Sequence, residues 1–296
     1  RNADYVAQWT ADEDTAYTVE YYYEENGAYQ ETATSSVKRS GTTDTEASVT
    51  AEDKKPNSAG YVFDESAENI LKGTIAGNGS LVLKVYFKQQ FTVTYEPGTH
   101  GTFPSQKKEN LDYGTATPGF EGETTGDAGY AFAGWAPKVA ETVTGNATYT
   151  AQWEANEDTK YTVEYYYQNE DGSYPTSTNM KREDRGTTDT SADVTDGDKT
   201  PEKAGYVFDA TNGSNVLSGT IAGNGSLVLK VYFKLQFTVT YKPGTQGTFE
   251  DQKTENLDYN ADTPEFVGTP DGNAGYTFAG WTPSVAGTVT RNAEYV

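Results

Sequence analysis

Four tyrosines are the side chains of this sequence best suited to hold a ligand. Strand-like alternation in the motifs YTVEYYY and LVLKVYFK places them on the face opposite the predicted core, at Tyr22, Tyr86, Tyr166 and Tyr232. If adjacent strands bring each pair side by side, the flat rings can stack on sugar rings. The alternatives are that the rings form a contact between modules or lie on a second covered face.

The sole histidine does not indicate catalysis. His100 lies in PGTHGTF, and the matching position of a later copy is Gln246 in PGTQGTF. A catalytic or metal-binding histidine should not be exchangeable within a nearly copied unit, so we expect no hydrolytic triad. Carboxylates such as Glu20 and Glu164 lie on the polar face of a strand, which favours solvated charge over paired catalytic acids. The chain is therefore predicted not to be an enzyme and to have no catalytic residue.

Metal binding and covalent cross-links are also not expected. The segments NEDGS from Asn169 and TDGDKT from Thr195 are rich in oxygen ligands, but neither has the spacing of a calcium loop. We predict no metal and no cofactor. Lys84 could face Glu20 across a sheet, as Lys230 could face Glu164, and an exposed ion pair is favoured there over an isopeptide bond.

Composition excludes several partners. Lys and Arg total 22 against 44 Asp and Glu, a net charge of −22, which repels nucleic acid and anionic membranes. Cysteine is absent, so disulfides and thiolate chemistry are excluded. Aromatic residues make up 13% of the chain, which is too many for a disordered segment and, with abundant Thr and Val, favours sheet.

The chain is built from a repeat. The sixteen residues GTIAGNGSLVLKVYFK run from Gly73 to Lys88 and recur without change from Gly219 to Lys234. The longer unit of about 145 residues has two unlike halves, here called first-type segments (17–88 and 161–234) and second-type segments (90–153 and 236–296). A copied unit is typical of an array whose purpose is length or multivalency.

Both segment types are predicted to be small sheets. Alternating apolar residues indicate half-buried strands, and Asn78-Gly79 and Asn26-Gly27 indicate hairpin turns. One short helix is predicted from Thr50, ending at Pro56. The fold class is therefore mainly β, β-grasp-like α+β with little helix, in an elongated tandem array that holds two copies of a two-module repeat.

Junctions and chain ends carry further expectations. Only Gln89-Gln90 separates the first two segments, which predicts a stiff joint, whereas the longer acidic linker after Trp153 should bend. We expect residues 1–9 to be the terminal strand of a preceding module whose body is missing, and the last segment to be truncated at its C-terminus. Residues 1–9 could complete that segment in a neighbouring molecule by head-to-tail strand exchange, or they pack on the first module or fray.

Two family resemblances cover nearly the whole chain. The first-type segments, with YTVEYYY, AGYVFD and LVLKVYFK, resemble the mucin-binding-protein repeat of Gram-positive surface proteins. The second-type segments, with FTVTY, GYAFAGW and NATYTAQW, resemble the Listeria-Bacteroides repeat, which is related to the internalin B-repeat. The resemblance implies β-grasp-like modules, extracellular display, a cell-wall anchor elsewhere in the protein, and an adhesin or stalk role.

Two functions remain open. The favoured one is a non-enzymatic stalk, a monomeric rod that holds a distal binding domain away from the bacterial wall. The alternative is that the repeats themselves bind host mucin-type glycans or glycoproteins, weakly per unit and with avidity from repetition. The charge of −22 favours neutral over sialylated or sulfated sugars.

Overall fold

The computed structural model describes residues 1–178 and 180–296. Every regular element in these ranges is a β-strand, which confirms the mainly-β prediction. Two compact units are distinguished: Arg1–Gly126 with Phe132–Trp153, and Asp127–Ala131 with Glu154–Val296. Each unit is described separately.

The first unit is built around one long strand. Its elements are β1 (Thr15–Glu25), β2 (Ala28–Tyr29), β3 (Ser35–Gly41), β4 (Glu46–Ser48), β5 (Tyr61–Phe63), β6 (Lys72–Thr74), β7 (Val82–Glu96), β8 (Gln106–Asp112), β9 (Tyr130–Ala136) and β10 (Ala147–Ala155). The sheet runs β2-β1-β7-β10-β9, with β3 beside β1 and with β5 and β8 beside β7. Strands β4 and β6 form a separate antiparallel pair.

The second unit repeats this plan with fewer regular strands. Its elements are β11 (Thr159–Tyr167), β12 (Met180–Gly186), β13 (Ser191–Asp193), β14 (Tyr206–Phe208), β15 (Ser218–Thr220), β16 (Val228–Tyr241), β17 (Gln252–Asp258) and β18 (Ala293–Tyr295). Here the sheet runs β12-β11-β16-β14, and β17 and β18 pair with the far half of β16. Strands β13 and β15 form the counterpart of the small β4/β6 pair.

Strand β7 passes through the junction between the two segments without interruption. Leu83, Val85 and Phe87 are buried in its first half, and Val93 and Tyr95 are buried in its second. All five have the same parity, so one face of the strand is buried along its whole length. Gln89 and Gln90 are half-buried strand residues, and the predicted short junction is therefore regular backbone.

One of the two predicted hairpins is confirmed. Asn26 and Gly27 adopt φ values of 53° and 82°, and Glu25 pairs with Ala28 across the turn. The turn at Asn78-Gly79 forms too, but the hairpin prediction is wrong: β6 before it pairs with β4, and β7 after it pairs with β1. This turn connects two different sheets, an outcome that local sequence does not distinguish from a hairpin.

The helix predicted from Thr50 is wrong, and the described ranges contain no helix. Residues 51–55 form turns instead. Thr50 and Asp53 do make the reciprocal hydrogen bonds of a capping box, from the Thr50 amide to Asp53 Oδ2 (2.8 Å) and from the Asp53 amide to Thr50 Oγ1 (3.2 Å). Pro56 follows at once, so the motif ends before helical hydrogen bonds can accumulate.

Buried apolar residues form clusters that each lie within one segment. Two belong to first-type segments and centre on Val19, Leu83, Val85 and Phe87, and on Val163, Leu229, Val231 and Phe233. Two belong to second-type segments and centre on Phe91, Val93, Tyr95 and Tyr149, and on Phe237, Val239, Tyr241 and Tyr295. The same residues recur in each pair of clusters because the sequence repeats.

Residues 1–9 form no strand in the described structure, and their assignment as the terminal strand of a preceding module stays a prediction. Tyr5 is 96% exposed and Trp9 is 91% exposed, so this segment does not pack on the first module. A β-strand needs a neighbouring strand to satisfy its backbone groups, and no partner lies beside these residues in the described ranges. Strand exchange through residues 1–9 stays a prediction.

Candidate functional site

The predicted tyrosine pairs do form, because β1 and β7 run parallel and in register. Tyr22 lies opposite Tyr86, and their ring centroids are 4.7 Å apart with 16° between the planes. In the second unit Tyr166 lies opposite Tyr232, at 4.6 Å and 8°. The strands are therefore adjacent in both copies, which was the condition for the rings to lie side by side.

The predicted exposure of the pairs is only partly right. Tyr86 and Tyr232 are half-buried, but Tyr22 and Tyr166 are each only 5% exposed. The expectation that Tyr22 and Tyr166 present open faces to solvent is therefore wrong. The alternative of a second covered face describes these two residues better, and a sugar ring cannot reach them without displacing protein atoms.

Local charges cover the buried member of each pair. The Tyr22 hydroxyl donates to Glu20 Oε2 at 2.7 Å, and Lys84 Nζ lies 5.4 Å from the centroid of the Tyr22 ring. The bond to Glu20 and burial raise the pKa of Tyr22 to about 12. In the second unit, burial and the bond to Glu164 raise the pKa of Tyr166 to about 12. These tyrosines are neutral hydrogen-bond donors rather than a free aromatic surface.

Lys84 and Glu20 are cross-strand neighbours as predicted, and so are Lys230 and Glu164. The carboxylate of Glu20 is nevertheless engaged by the Tyr22 hydroxyl, and Lys84 Nζ lies over the aromatic ring. The cation therefore interacts with the quadrupole of the Tyr22 ring. The preference for an exposed ion pair over an isopeptide bond at these positions stays a prediction.

A third tyrosine completes each pair, and sequence reasoning missed it. Tyr29 meets Tyr86 edge-on, with centroids 4.9 Å apart at 77°, and its hydroxyl donates to Asp64 Oδ2 at 2.7 Å. Tyr174 does the same with Tyr232 (5.2 Å, 78°) and Asp209 (2.9 Å). The available signal was a tyrosine two residues after the turn glycine in both copies, in GAY and GSY.

Asp53 is the centre of a buried polar cluster that sequence reasoning also missed. Its carboxylate accepts two hydrogen bonds from Arg39 (2.5 and 2.8 Å) and one from the Tyr21 hydroxyl (2.6 Å), and its side chain is 3% exposed. Burial alone would raise the pKa of Asp53, but the bonds from Arg39 and Tyr21 outweigh burial and lower it well below the usual value. The cluster is structural, because every acceptor is already engaged.

The second unit repeats this cluster at Asp198, within the segment that raised the question of calcium. Arg182 Nη2 lies 2.8 Å from Asp198 Oδ1, and the Tyr165 hydroxyl donates to the same oxygen at 2.6 Å. Burial would raise the pKa of Asp198, but these bonds and those from Thr195 lower it to about 2. Protein donors thus occupy an oxygen that a calcium ion would need.

No group of three or more His, Cys, Asp or Glu side chains in the described ranges is arranged to hold a metal ion. In the other oxygen-rich segment, Asp171 Oδ1 accepts from the amide and the hydroxyl of Ser173, at 2.9 and 2.6 Å. His100 is half-buried in a turn of the second-type segment. The sequence candidates for metal chemistry are therefore not brought together.

An ion pair crosses the junction between the two segments inside each unit. Lys88 Nζ lies 2.6 Å from Asp112 Oδ2, and Lys234 Nζ lies 2.5 Å from Asp258 Oδ2. Each pair joins a lysine at the end of a first-type segment to an aspartate of the next second-type segment. The ion pair and the shared strand therefore both connect the first-type segment to the second-type segment that follows it.

The second-type segment of the first unit holds a dense aromatic group. Trp135 contacts Tyr95, Phe103 and Phe120, with centroids 4.8, 6.0 and 5.4 Å apart. The indole N–H of Trp153 donates to the carbonyl of Pro97 at 2.7 Å. Such packing stabilises the segment and engages both tryptophans within it.

The described part of the chain has no helix that could cross a membrane. Compared with protein-family models and with curated proteins, the chain matches none.

Proposed function

We propose that this chain is a non-enzymatic stalk region of a surface adhesin of a Gram-positive bacterium, displayed outside the cell and anchored to the wall elsewhere in the protein. The observation that carries the proposal is the continuous strand β7, which ends one segment and begins the next. Strand β16 does the same in the second unit. Because the strand is shared, no flexible linker separates the two segments at these junctions. A spacer needs stiff junctions of this kind to hold its length.

The separate buried clusters support the same role. Each segment has its own apolar core, so each can fold beside its neighbours without a common centre. We propose that the segments are β-grasp-like modules, in which the turn at 51–55 takes the place of the expected helix. We also propose that they form an elongated tandem array.

Small-angle X-ray scattering of the 296-residue chain tests the stalk. A rod of tandem modules should give a maximum dimension above about 100 Å, because strands rise about 3.3 Å per residue. A globule of this length has a radius of gyration of about 19 Å. A scattering profile of that compact kind would end the stalk proposal.

The second candidate is weak, multivalent binding of neutral host glycans. One observation favours it: half-buried Tyr86 and Tyr29 meet at a right angle, and Tyr232 and Tyr174 repeat the arrangement. These two edge-on tyrosine pairs, here called tyrosine corners, would lie on the same chain, so that binding at both would add avidity. A glycan array with the wild-type chain and with a Tyr86→Ala/Tyr232→Ala variant tests it, and Tyr5→Ala serves as the control. Equal signals from all three chains would exclude these corners as the binding site.

A further inference from the structure

The first and last strands of each segment lie side by side and run in the same direction. In segment 17–88, β1 and the first half of β7 are parallel over six residue pairs. In segment 90–153, the second half of β7 and β10 are parallel over four. The second unit repeats both pairings, between β11 and β16 and between β16 and β18.

This topology decides how tension acts on a segment. When two adjacent parallel strands are the first and last of a segment, pulling on the segment ends slides one strand along the other. The hydrogen bonds between them lie across the force and must break together. In an antiparallel terminal pair the ends would lie at the same edge, and the bonds would open one after another.

We propose that each parallel pair is a mechanical clamp, a hydrogen-bonded strand pair loaded in shear, and that β7 and β16 pass tension directly from one clamp to the next. Strand β7 is the last strand of the first clamp and the first strand of the second. Its 15 residues are one regular strand, so no unstructured linker between the two clamps can extend first. The inference deepens the proposed stalk function and rests on it for its biological purpose.

Side chains lengthen both clamps at the same positions in each copy. In the first clamp, the amide of Gln89 donates to Glu24 Oε2 at 2.9 Å, and the amide of Leu235 donates to Gln168 Oε1 at 3.1 Å. In the second clamp, the amides of Thr92 and Thr238 donate to the side-chain oxygens of Asn146 and Asn292, both at 2.8 Å. Each side chain supplies an acceptor that continues the line of bonds that shear must break.

Single-molecule force spectroscopy tests the clamp by changing the pulling direction. The chain has no cysteine, so pairs of introduced cysteines define the attachment points. When the chain is pulled through cysteines at Ala16→Cys and Gln89→Cys, β1 and β7 are loaded in shear. When it is pulled through Ala16→Cys and Ser80→Cys, both attachment points lie at the same end of the strand pair, and the strands separate from that end. The proposal expects a severalfold higher unfolding force for the first pair. Equal forces in the two directions would overturn it.

Two substitutions test the bonds themselves. Thr18→Pro removes the amide that donates to the Leu81 carbonyl at 3.0 Å, and Thr18→Ala keeps it. Asn146→Ala removes the acceptor for Thr92, while Thr144→Ala changes another exposed residue nearby. The first member of each pair should lower the unfolding force when the full chain is pulled from its ends, and the second should not. Asn146 is exposed, so this variant keeps the test valid if Thr18→Pro does not fold.

The clamp and the stalk can fail separately. Direction-independent unfolding forces together with an elongated scattering profile would reject the clamp and leave the spacer. A compact profile together with direction-dependent forces would reject the spacer and leave the clamp as a property of the sheets.

Discussion

Gly27 packs directly against the ring of Tyr113, so that a Cβ added at this glycine would lie 2.5 Å from Tyr113 Cδ1. Gly172 and Tyr259 make the same contact in the second unit, where an added Cβ would also collide with the ring. Each contact joins the turn after the first strand of a first-type segment to the LDY motif of the next second-type segment. The glycine is needed for close approach as well as for its positive φ of 82°.

Gly27→Ala should therefore destabilise the first unit more than the same substitution at a positive-φ glycine with open space around it. We expect a cost of about 1–2 kcal/mol from the left-handed backbone and about 1–3 kcal/mol from the collision with Tyr113. Urea unfolding measures the sum. Gly114→Ala is the matched control, since Gly114 has a φ of 75° and open space around its Cα. If the two variants lose the same stability, the contact with Tyr113 is not a constraint.

Asp53→Ala should strongly lower the stability of the first-type segment against unfolding. The substitution removes the acceptor of Arg39, Tyr21 and Thr50, so we expect a loss of about 3 kcal/mol or more in the free energy of unfolding. Glu52→Ala breaks an exposed ion pair with Lys55 and should cost less than about 1 kcal/mol. Thermal unfolding followed by circular dichroism compares them, and similar midpoints for the two variants would contradict a structural role for Asp53.

The same carboxylates should make the protein sensitive to acid. The pKa values of Asp53, Asp64 and Asp209 are lowered from 3.8, and that of Asp198 is lowered to about 2. Burial raises each pKa, but hydrogen bonds to the ionised form outweigh it. A lowered pKa in the folded state contributes stability that is complete above 3.8 and is lost as pH falls toward 2.

Denaturant titrations from neutral pH down to this range measure the acid loss. Asp198→Asn should flatten the acid limb because its carboxyl no longer titrates. Asp196→Asn is the control, since the Asp196 side chain in the same turn is fully exposed. If the free energy of unfolding falls with decreasing pH as steeply in Asp198→Asn as in the wild type, groups other than Asp198 cause the loss of stability in acid.

Tyr22→Phe should remove part of the alkaline sensitivity. In the folded chain the pKa of Tyr22 is raised from 10.0 to about 12, so the folded state stays protonated where the unfolded state ionises. This stability is complete below pH 10.0 and is lost as pH rises toward about 12. At neutral pH the lost bond to Glu20 should cost about 1 kcal/mol.

The measurement is the difference in unfolding free energy between wild type and Tyr22→Phe across this alkaline range. The difference should shrink as pH rises. Tyr5→Phe, at a side chain that is 96% exposed, should leave the stability unchanged. If the difference does not depend on pH, the Tyr22–Glu20 hydrogen bond does not contribute to the loss of stability at alkaline pH.

Deleting residues 1–9 should leave the unfolding midpoint unchanged, because Tyr5 and Trp9 make almost no contact with the folded chain. Trp135→Ala is the opposite case and should cost about 3–5 kcal/mol, since its ring packs among other aromatic rings.

Analytical ultracentrifugation of the chain with and without residues 1–9 tests strand exchange. An oligomer that forms only with residues 1–9 present would support exchange, and monomers in both samples would remove it.

Several features of the fold could be predicted because they depend on local chemistry. The period-two alternation around Val19 and Val85 predicted half-buried strands, and Asn26-Gly27 predicted a hairpin through its tolerance of positive φ. The alternation also placed Tyr22 and Tyr86 on the same side of their strands, away from the predicted core. These features need only the residue type and its immediate neighbours.

Other features depend on residues far apart in the chain. The burial of Tyr22 depends on packing across the sheet, and the position of Tyr29 depends on how the first hairpin folds over β7. The segment from Thr50 resembled a helix start because Thr50 and Asp53 make capping bonds in a turn as well as in a helix. Arg39, remote in sequence, makes Asp53 a buried ion-pair centre.

The sequence by itself determined a duplicated, cysteine-free, acidic chain with the period-two alternation of strands, since composition and period are properties of the residue types alone. Only the tertiary structure decided that β7 serves two segments, that its neighbours β1 and β10 run parallel to it, and which tyrosines are covered. The physical reason is that strand order and direction follow from which distant backbones pair, and local propensity is the same for a parallel or an antiparallel partner.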